Sequence, residues 1–350
     1  MTFMQPAVIK VAKAVAKAES HTGMSETDST VKLGVVAALL LLGHHEPEDR
    51  DPRRSILAAS DEQIAQMLEG AWCLSTITRP ELAFRCGPFG GWLNKEPWNA
   101  ANVAAAAAAA RAAVEAGLLA PPLDRGNAQK VDVLGHCNLV LRNHEAPRTL
   151  GRQFYTPAPL TEAVASMALA VPERERSICD SYAGTGGMLR AAAEQLRKAG
   201  KDPHDFWWYG CDIDPVVVAA LAVNAHVWDL GPRVLIGCTN VLTEPDWKAR
   251  AAEEQQAAVA VQETLAAGAT LLAVAEAAER LIGAGDERAE ISVWGSVAAS
   301  GSLPRVAPTA PESPGANRGA TGRAERGDEP ARRCCCVAAA QVPCARSRAA

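Results

Sequence analysis

One glycine-rich turn constrains this chain more than any other feature. Asp180-Ser181-Tyr182-Ala183-Gly184-Thr185-Gly186-Gly187 lies between a short apolar segment and an amphipathic one. Arg176 to Asp180 reads as a strand, and Gly187 to Lys198 as a helix that stops at Gly200. The same order then repeats. Phe206 to Asp212 reads as an aromatic strand, Pro215 to Trp228 as a helix, and Arg233 to Gly237 as another strand. Proline in the first turn of a helix costs nothing, because its missing N–H would have had no partner there. Short apolar strands separated by helices pair in parallel through right-handed crossovers. The expectation is an α/β domain built on a parallel sheet.

The residues before this zone read as helical. Met1 to Ser20 has spaced lysines and alanines, no signal-peptide core, and the look of a short amphipathic helix. Val31 to Leu42 is an apolar helix, and Ser60 to Glu69 is a helix with Ser60 as its N-cap. Asn102 to Leu119 is a third, with alanine at every position from 104 to 110, ended by Gly117 and the pair Pro121-Pro122. The tryptophans Trp72, Trp92 and Trp98 read as small-core anchors, and Trp207-Trp208-Tyr209 as buried strand. His44-His45 precedes an acidic stretch and reads as a solvated turn rather than a metal pair. Arg250 to Leu281 reads as a long helix rich in alanine and glutamate; beyond Ser292 no periodicity survives. The expected organisation is a mostly helical domain at 1–145, a partial ligand-binding α/β domain at 146–248, an Ala/Glu-rich helix at 249–285 and a disordered tail at 286–350.

The formal net charge is −5, which argues against coating nucleic acid by bulk electrostatics and leaves room for a local basic patch. The longest apolar run, Leu33 to Gly43, is about half the length a bilayer crossing needs. No membrane association and a cytoplasmic location are expected. Six cysteines scattered from Cys73 to Cys238 lack CxxC spacing and read as reduced and buried, with no metal site.

The turn itself carries the chemistry. Its glycines let the backbone approach a ligand, and a side chain at Gly186 is expected to block that approach. The N–H groups opening the next helix favour an anionic group. Asp180, at the strand end, can take an ammonium group, so the pair suits an amino-acid-like zwitterion better than a pyrophosphate; a purely structural turn is the other reading. Asp212 ends the second strand beside the same crevice, where a carboxylate commonly holds ribose hydroxyls. Asp214 reads as the cap of the following helix. Asn240, in Gly237-Cys238-Thr239-Asn240-Val241-Leu242, either bonds an adenine edge or is an ordinary loop asparagine.

With Gly151-Arg152-Gln153-Phe154-Tyr155-Thr156-Pro157 upstream, these segments resemble the N6-adenine DNA methyltransferases of restriction-modification systems, especially type I modification subunits. The resemblance spans about Gly151 to Trp247. It implies a Rossmann-like S-adenosylmethionine-dependent methyltransferase sheet and transfer of a methyl group from S-adenosylmethionine to adenine in DNA. It implies that Tyr155, Thr156 and Pro157 shape the pocket for the methionine portion. Asp180, Gly184 and Gly186 contact its amino-acid part, Asp212 holds the ribose with Ile213 beside it, and Asn240 takes the adenine. The implied partners are DNA and a specificity subunit that reads the sequence.

Two departures stand out. Ser181 replaces the family's usual proline, and Tyr182-Ala183 a small residue with cysteine; both are tolerable beside the glycines. More consequential, no Asn/Asp-Pro-Pro-Tyr/Phe motif follows the third strand, and that motif positions the adenine amino group and stacks on the flipped base. The nearest strings are Glu244-Pro245-Asp246-Trp247 and Ala120-Pro121-Pro122-Leu123. After Lys248 the chain has no Lys, Phe, Tyr, His or Met, and it carries a Cys334-Cys335-Cys336 run. A reading frame lost after about Gly285 would give this composition; so would a naturally disordered tail. The chain therefore reads as a truncated or frameshifted methyltransferase, catalytically impaired. A non-catalytic S-adenosylmethionine-binding remnant or interaction module is the alternative. A nicotinamide or flavin enzyme is the weakest reading, because the turn lacks GxGxxG spacing.

Overall fold

The computed structural model describes residues 6–18, 26–45, 51–93, 98–145, 156, 158–169 and 176–283. The expected tail, Gly151 to Tyr155 and Pro157 lie outside them. The helices before the sheet are α1 (Pro6–Lys17), α2 (Glu26–His45), α3 (Pro52–Ala58), α4 (Asp61–Thr78), α5 (Pro80–Ala83), α6 (Gly87–Gly90), α7 (Ala100–Glu115), α8 (Arg125–Ala128), α9 (Val133–Glu145) and α10 (Ala158–Leu169). There follow β1 (Ser177–Asp180), α11 (Gly187–Lys198), β2 (Trp207–Asp212), α12 (Pro215–Val227), β3 (Val234–Cys238) and α13 (Trp247–Gly283). The described residues are thus mostly helical with a small parallel sheet. By packing they divide at Leu265: the larger unit ends there, and the described part of the second, from Ala266, is helix with Leu271 and Val274 exposed.

Each helix forms where its sequence permits. Ser60 opens α4 through a capping box: its Oγ accepts from Gln63 N, and the Gln63 side chain accepts from Ser60 N at 2.8 Å. The N-terminal helix α1 buries Val8, Val11, Ala12 and Val15, a single stripe at helical spacing. From Leu33 to Leu42 helix α2 is apolar on all sides and is accordingly enclosed there, with Val35 to Leu41 fully buried. The alanine run of α7 lets α1, α2 and α4 pack closely around it. Helix α9 is an element that sequence reading passed over; Gly135, His136, Cys137 and Asn138 are poor helix formers.

The sheet has the order β1-β2-β3, all parallel, with Asp180 opposite Gly210 and Asp212 opposite Cys238. Helix α12 lies between the sheet and the N-terminal helices, so Val217 to Val227 are buried throughout. Each such Val or Leu stabilises the fold by about 1.5–3 kcal/mol relative to exposure. The same buried cluster runs from α1 to β3, joining helical zone and sheet in one core. On the other face of the sheet Trp247 and Ala251 of α13 cover Cys211 and Leu235.

The outer edge of β3 is sealed by side chains. Gln255 Nε2 donates to Val234 O at 2.9 Å, and Arg85 Nε to Ile236 O at 3.0 Å. Arg85 is held in turn by Glu254 at 2.6 Å. Strand alternation corrects one expectation: of Trp207-Trp208-Tyr209 only Trp208 is fully buried, while Trp207 is 47% exposed and stacks on Tyr209. By length and composition alone, Trp247–Ala275 of α13 is also apolar enough to cross a bilayer.

His44 and His45 are not a solvated turn. Both rings pack at 5.0 Å from that of His226, in edge-on geometry. His226 is 5% exposed, and its Nδ1 and the Nε2 of His45 are buried without a hydrogen-bond partner among the described residues. Burial lowers the His44 pKa to about 4 and that of His226 to about 3, with the neighbouring imidazoles adding to each shift. Among the described residues no group of three or more His, Cys, Asp or Glu is placed to hold a metal.

Candidate functional site

At the carboxyl ends of the strands three loops are stitched together by backbone bonds, and the ground they border is the candidate crevice. Ala183 N donates to Cys211 O at 2.8 Å, and Thr239 N to Asp212 O at 3.0 Å. The side chain of Asp212 joins the first two loops: Oδ2 accepts from Gly184 N at 3.1 Å and Oδ1 from Asp214 N at 3.0 Å. Asp180, Gly184, Gly186, Asp212, Ile213 and Asn240 all lie on these loops. Thr156 is exposed ahead of α10, which packs on α11; Tyr155 and Pro157 lie outside the described residues.

The two helices that leave the crevice differ at their starts. Helix α12 is capped by Asp214, whose Oδ1 accepts from Val216 N at 2.9 Å. Its N-terminal N–H groups are thereby used, as the sequence suggested. Helix α11 begins at Gly186, left-handed at φ 94°, and has no side-chain cap. Its first N–H groups carry the positive end of the helix dipole into the loop. Asp180 Oδ1 accepts from Tyr182 N at 3.0 Å. Burial, opposed by that N–H bond and aided by the charge of Asp212, holds the Asp180 carboxyl above the usual aspartate range.

The two loop glycines do different work. At Gly184, φ is 56° and nothing lies within 4 Å of where a Cβ would be, so this position is open toward the crevice. At Gly186 a Cβ would meet Leu221 Cδ1 at 2.6 Å and Trp228 Cζ3 at 2.9 Å. That side faces the core. A side chain at Gly186 therefore collides with α12 and Trp228, which corrects the expectation that it would obstruct a ligand.

Three large apolar side chains, one from each loop, stand exposed around the crevice: Tyr182, Ile213 and Leu242, at 68%, 65% and 78%. Asn240 Oδ1 accepts from Leu242 N at 3.1 Å, so its amide nitrogen is the end left to meet a ligand. The Glu244-Pro245-Asp246-Trp247 string is committed elsewhere. Glu244 pairs with Arg250 at 2.7 Å and bonds Thr239, and Trp247 is 4% exposed beneath the sheet. Trp247 cannot stack on an extruded base without unpacking that face, and Glu244 is already ion-paired.

Among solved structures, the methyltransferase subunit of a type I restriction-modification system from Streptococcus thermophilus aligns at 15% identity and a TM-score of 0.38. The alignment covers 67% of this chain and 58% of that one, so the chain spans little more than half of that subunit. Residues 129–262, rather more than a third of the chain, match the family described as N-6 DNA Methylase. That match begins just ahead of α9 and takes in all three strands and the loops that follow them, so over that span the chain is similar to the N-6 DNA Methylase family.

Proposed function

We propose that the crevice binds S-adenosylmethionine and that the chain belongs to an adenine-N6 DNA methylation system of restriction-modification type. The observation that carries this is the uncapped start of α11 at the end of a loop whose backbone N–H groups bond two strand-end carboxylates, Asp180 and Asp212. An ammonium suits Asp180, a carboxylate suits the helix start, and a ribose diol suits Asp212. The adenine ring fits among Tyr182, Ile213 and Leu242, with the Asn240 amide at its edge. Thr156, with Tyr155 and Pro157, borders the methionine end. When bound, S-adenosylmethionine supplies an electrophilic methyl group on a sulfonium centre.

The chain's own residues orient that ligand, while the Asn/Asp-Pro-Pro-Tyr/Phe string that would hold the target base is absent from the sequence. With Trp247 buried and Glu244 ion-paired, the chain by itself is catalytically impaired, and a specificity subunit reads the DNA. A Rossmann-like methyltransferase sheet, a domain start near residue 146 and a cytoplasmic setting belong to the same reading.

Calorimetric titration with S-adenosylmethionine tests the cofactor; no heat of binding by the folded chain would remove it. Asp212→Ala is expected to weaken binding by about 1–3 kcal/mol, since it removes a charged acceptor and frees the N–H groups of Gly184 and Asp214. An unchanged dissociation constant would take Asp212 out of the site. Labelled methyl transfer to adenine-containing DNA, with and without a specificity subunit, is expected to give no N6-methyladenine from the chain alone. Clear product would overturn the impairment.

Affinity is also expected to fall as pH is lowered toward the aspartate range, the fall setting in at higher pH than for an ordinary aspartate. Asp180 holds an ammonium group only when ionised, and its pKa is raised. Asp180→Asn is expected to bind weakly at every pH across that fall. A pH slope that survives in the variant would place the titrating group elsewhere.

A further inference from the structure

Beneath the glycine loop runs a segment from the helical zone, and its polar atoms are aimed at the loop. Asp132 is 2% exposed and starts α9, its Oδ1 accepting from Gly135 N at 2.8 Å. The same oxygen accepts from Asn224 Nδ2 of α12 at 2.9 Å. The other oxygen accepts from Thr185 Oγ1, in the middle of the loop, at 2.6 Å. Asn224, 1% exposed, also donates to Thr185 O at 2.8 Å. Both the side chain and the main chain of Thr185 are thus held from below.

The segment is itself anchored on both helices. Arg190 Nη1 of α11 donates to Lys130 O at 2.8 Å, and Trp228 Nε1 to Val131 O at 3.2 Å. Gly135 makes the arrangement possible: a Cβ there would lie 2.2 Å from Asp132 Oδ2 and 2.5 Å from Thr185 Oγ1. Only a carboxylate can accept from all three donors, since an amide would turn an N–H toward one of them. Bonds to an ionised acceptor in a buried site are among the stronger kind.

We infer that Asp132 is a positioning residue of the cofactor loop, acting through Thr185 and with Asn224; the inference rests on the cofactor reading above. The loop is held in its ligand-ready shape before the ligand arrives, so binding does not have to order it. The helical zone is in this sense part of the site.

The test uses the full chain, with S-adenosylmethionine titration and amide hydrogen exchange read on the same variants. Thr185→Val removes the hydroxyl. It is expected to weaken binding about ten- to a hundredfold and to speed exchange at residues 183–187, while α12 exchanges as in the parent. Thr185→Ser restores the hydroxyl and is expected to bind within about threefold of the parent. Gly135→Ala, which pushes Asp132 off Thr185 while keeping every hydrogen-bonding group, is expected to behave like Thr185→Val. Should Thr185→Val not fold, Gly135→Ala against Thr185→Ser carries the comparison. Parent-like affinity and loop exchange in the hydroxyl-lacking or displaced variants would overturn the brace. If the parent itself does not bind S-adenosylmethionine, the cofactor reading fails, and loop exchange alone decides whether Asp132 holds the loop.

Discussion

Gly186→Val is expected to destabilise the larger unit by about 3–5 kcal/mol, as the strain of a β-branched residue at positive φ adds to overpacking. The residue sits at φ 94°, and its Cβ would lie 2.6 Å from Leu221 and 2.9 Å from Trp228. Trp228 and Leu221 belong to the core shared by the helical zone and the sheet. The damage therefore spreads beyond the loop, and the helical zone is not expected to stay intact while the crevice alone fails. Gly184→Ala is the control: with open space at its Cβ, only the cost of left-handed backbone remains, about 1–2 kcal/mol. Urea unfolding of the two variants checks this. Equal midpoints would mean that Gly186 faces the crevice after all.

Acid is expected to unfold the larger unit earlier than its carboxylates alone would require. His44 and His226 have folded-state pKa values of about 4 and 3, below the 6.5 of the open chain. The unfolded chain takes up protons first as pH falls. The stability held by neutral, buried imidazoles is therefore complete above pH 6.5 and is lost as pH falls toward the folded values of about 4 and 3. A fully buried group loses about 1.4 kcal/mol per pH unit. Discounting for the partial exposure of His44, the pair is expected to cost about 2 kcal/mol between pH 6.5 and 5. Arg79 and Arg125 face the cluster and resist its charging, while Asp229 favours it at His44. His226→Leu removes the most deeply buried member and is expected to flatten the slope of unfolding free energy over that interval. A slope equal to the parent's would assign it to other groups.

The parts legible in the sequence are those fixed by neighbours along the chain. Strand ends fall within a residue or so of their expected places, and α11 spans Gly187–Lys198 as its periodicity and flanking glycines require. Asp214 caps α12 because a cap is a local bond, two and three residues long. What could not be read is set by contacts between distant segments. Asp132 meets Thr185 and Asn224 across 53 and 92 positions, and no spacing rule joins them. His226 reached His44 and His45 in the same way, so an adjacent pair that looked like a turn became part of a core. The role of Gly186 failed for a third reason. A glycine motif states that a side chain is unwelcome but not on which side of the backbone the collision would occur.

The sealed edge of β3 has a consequence for association between molecules. A row of outward carbonyls is what an incoming strand from another copy would use to dock, and unprotected rows of this kind are where sheet proteins stick together. Here Val234 O and Ile236 O are already occupied by Gln255 and Arg85, and Arg85 is tethered to Glu254. A foreign strand would have to evict a guanidinium from its carboxylate before forming its first bond. Two side chains therefore guard that side, with α5 packed against β3 beside them, and Arg85→Ala would free one of the two carbonyls.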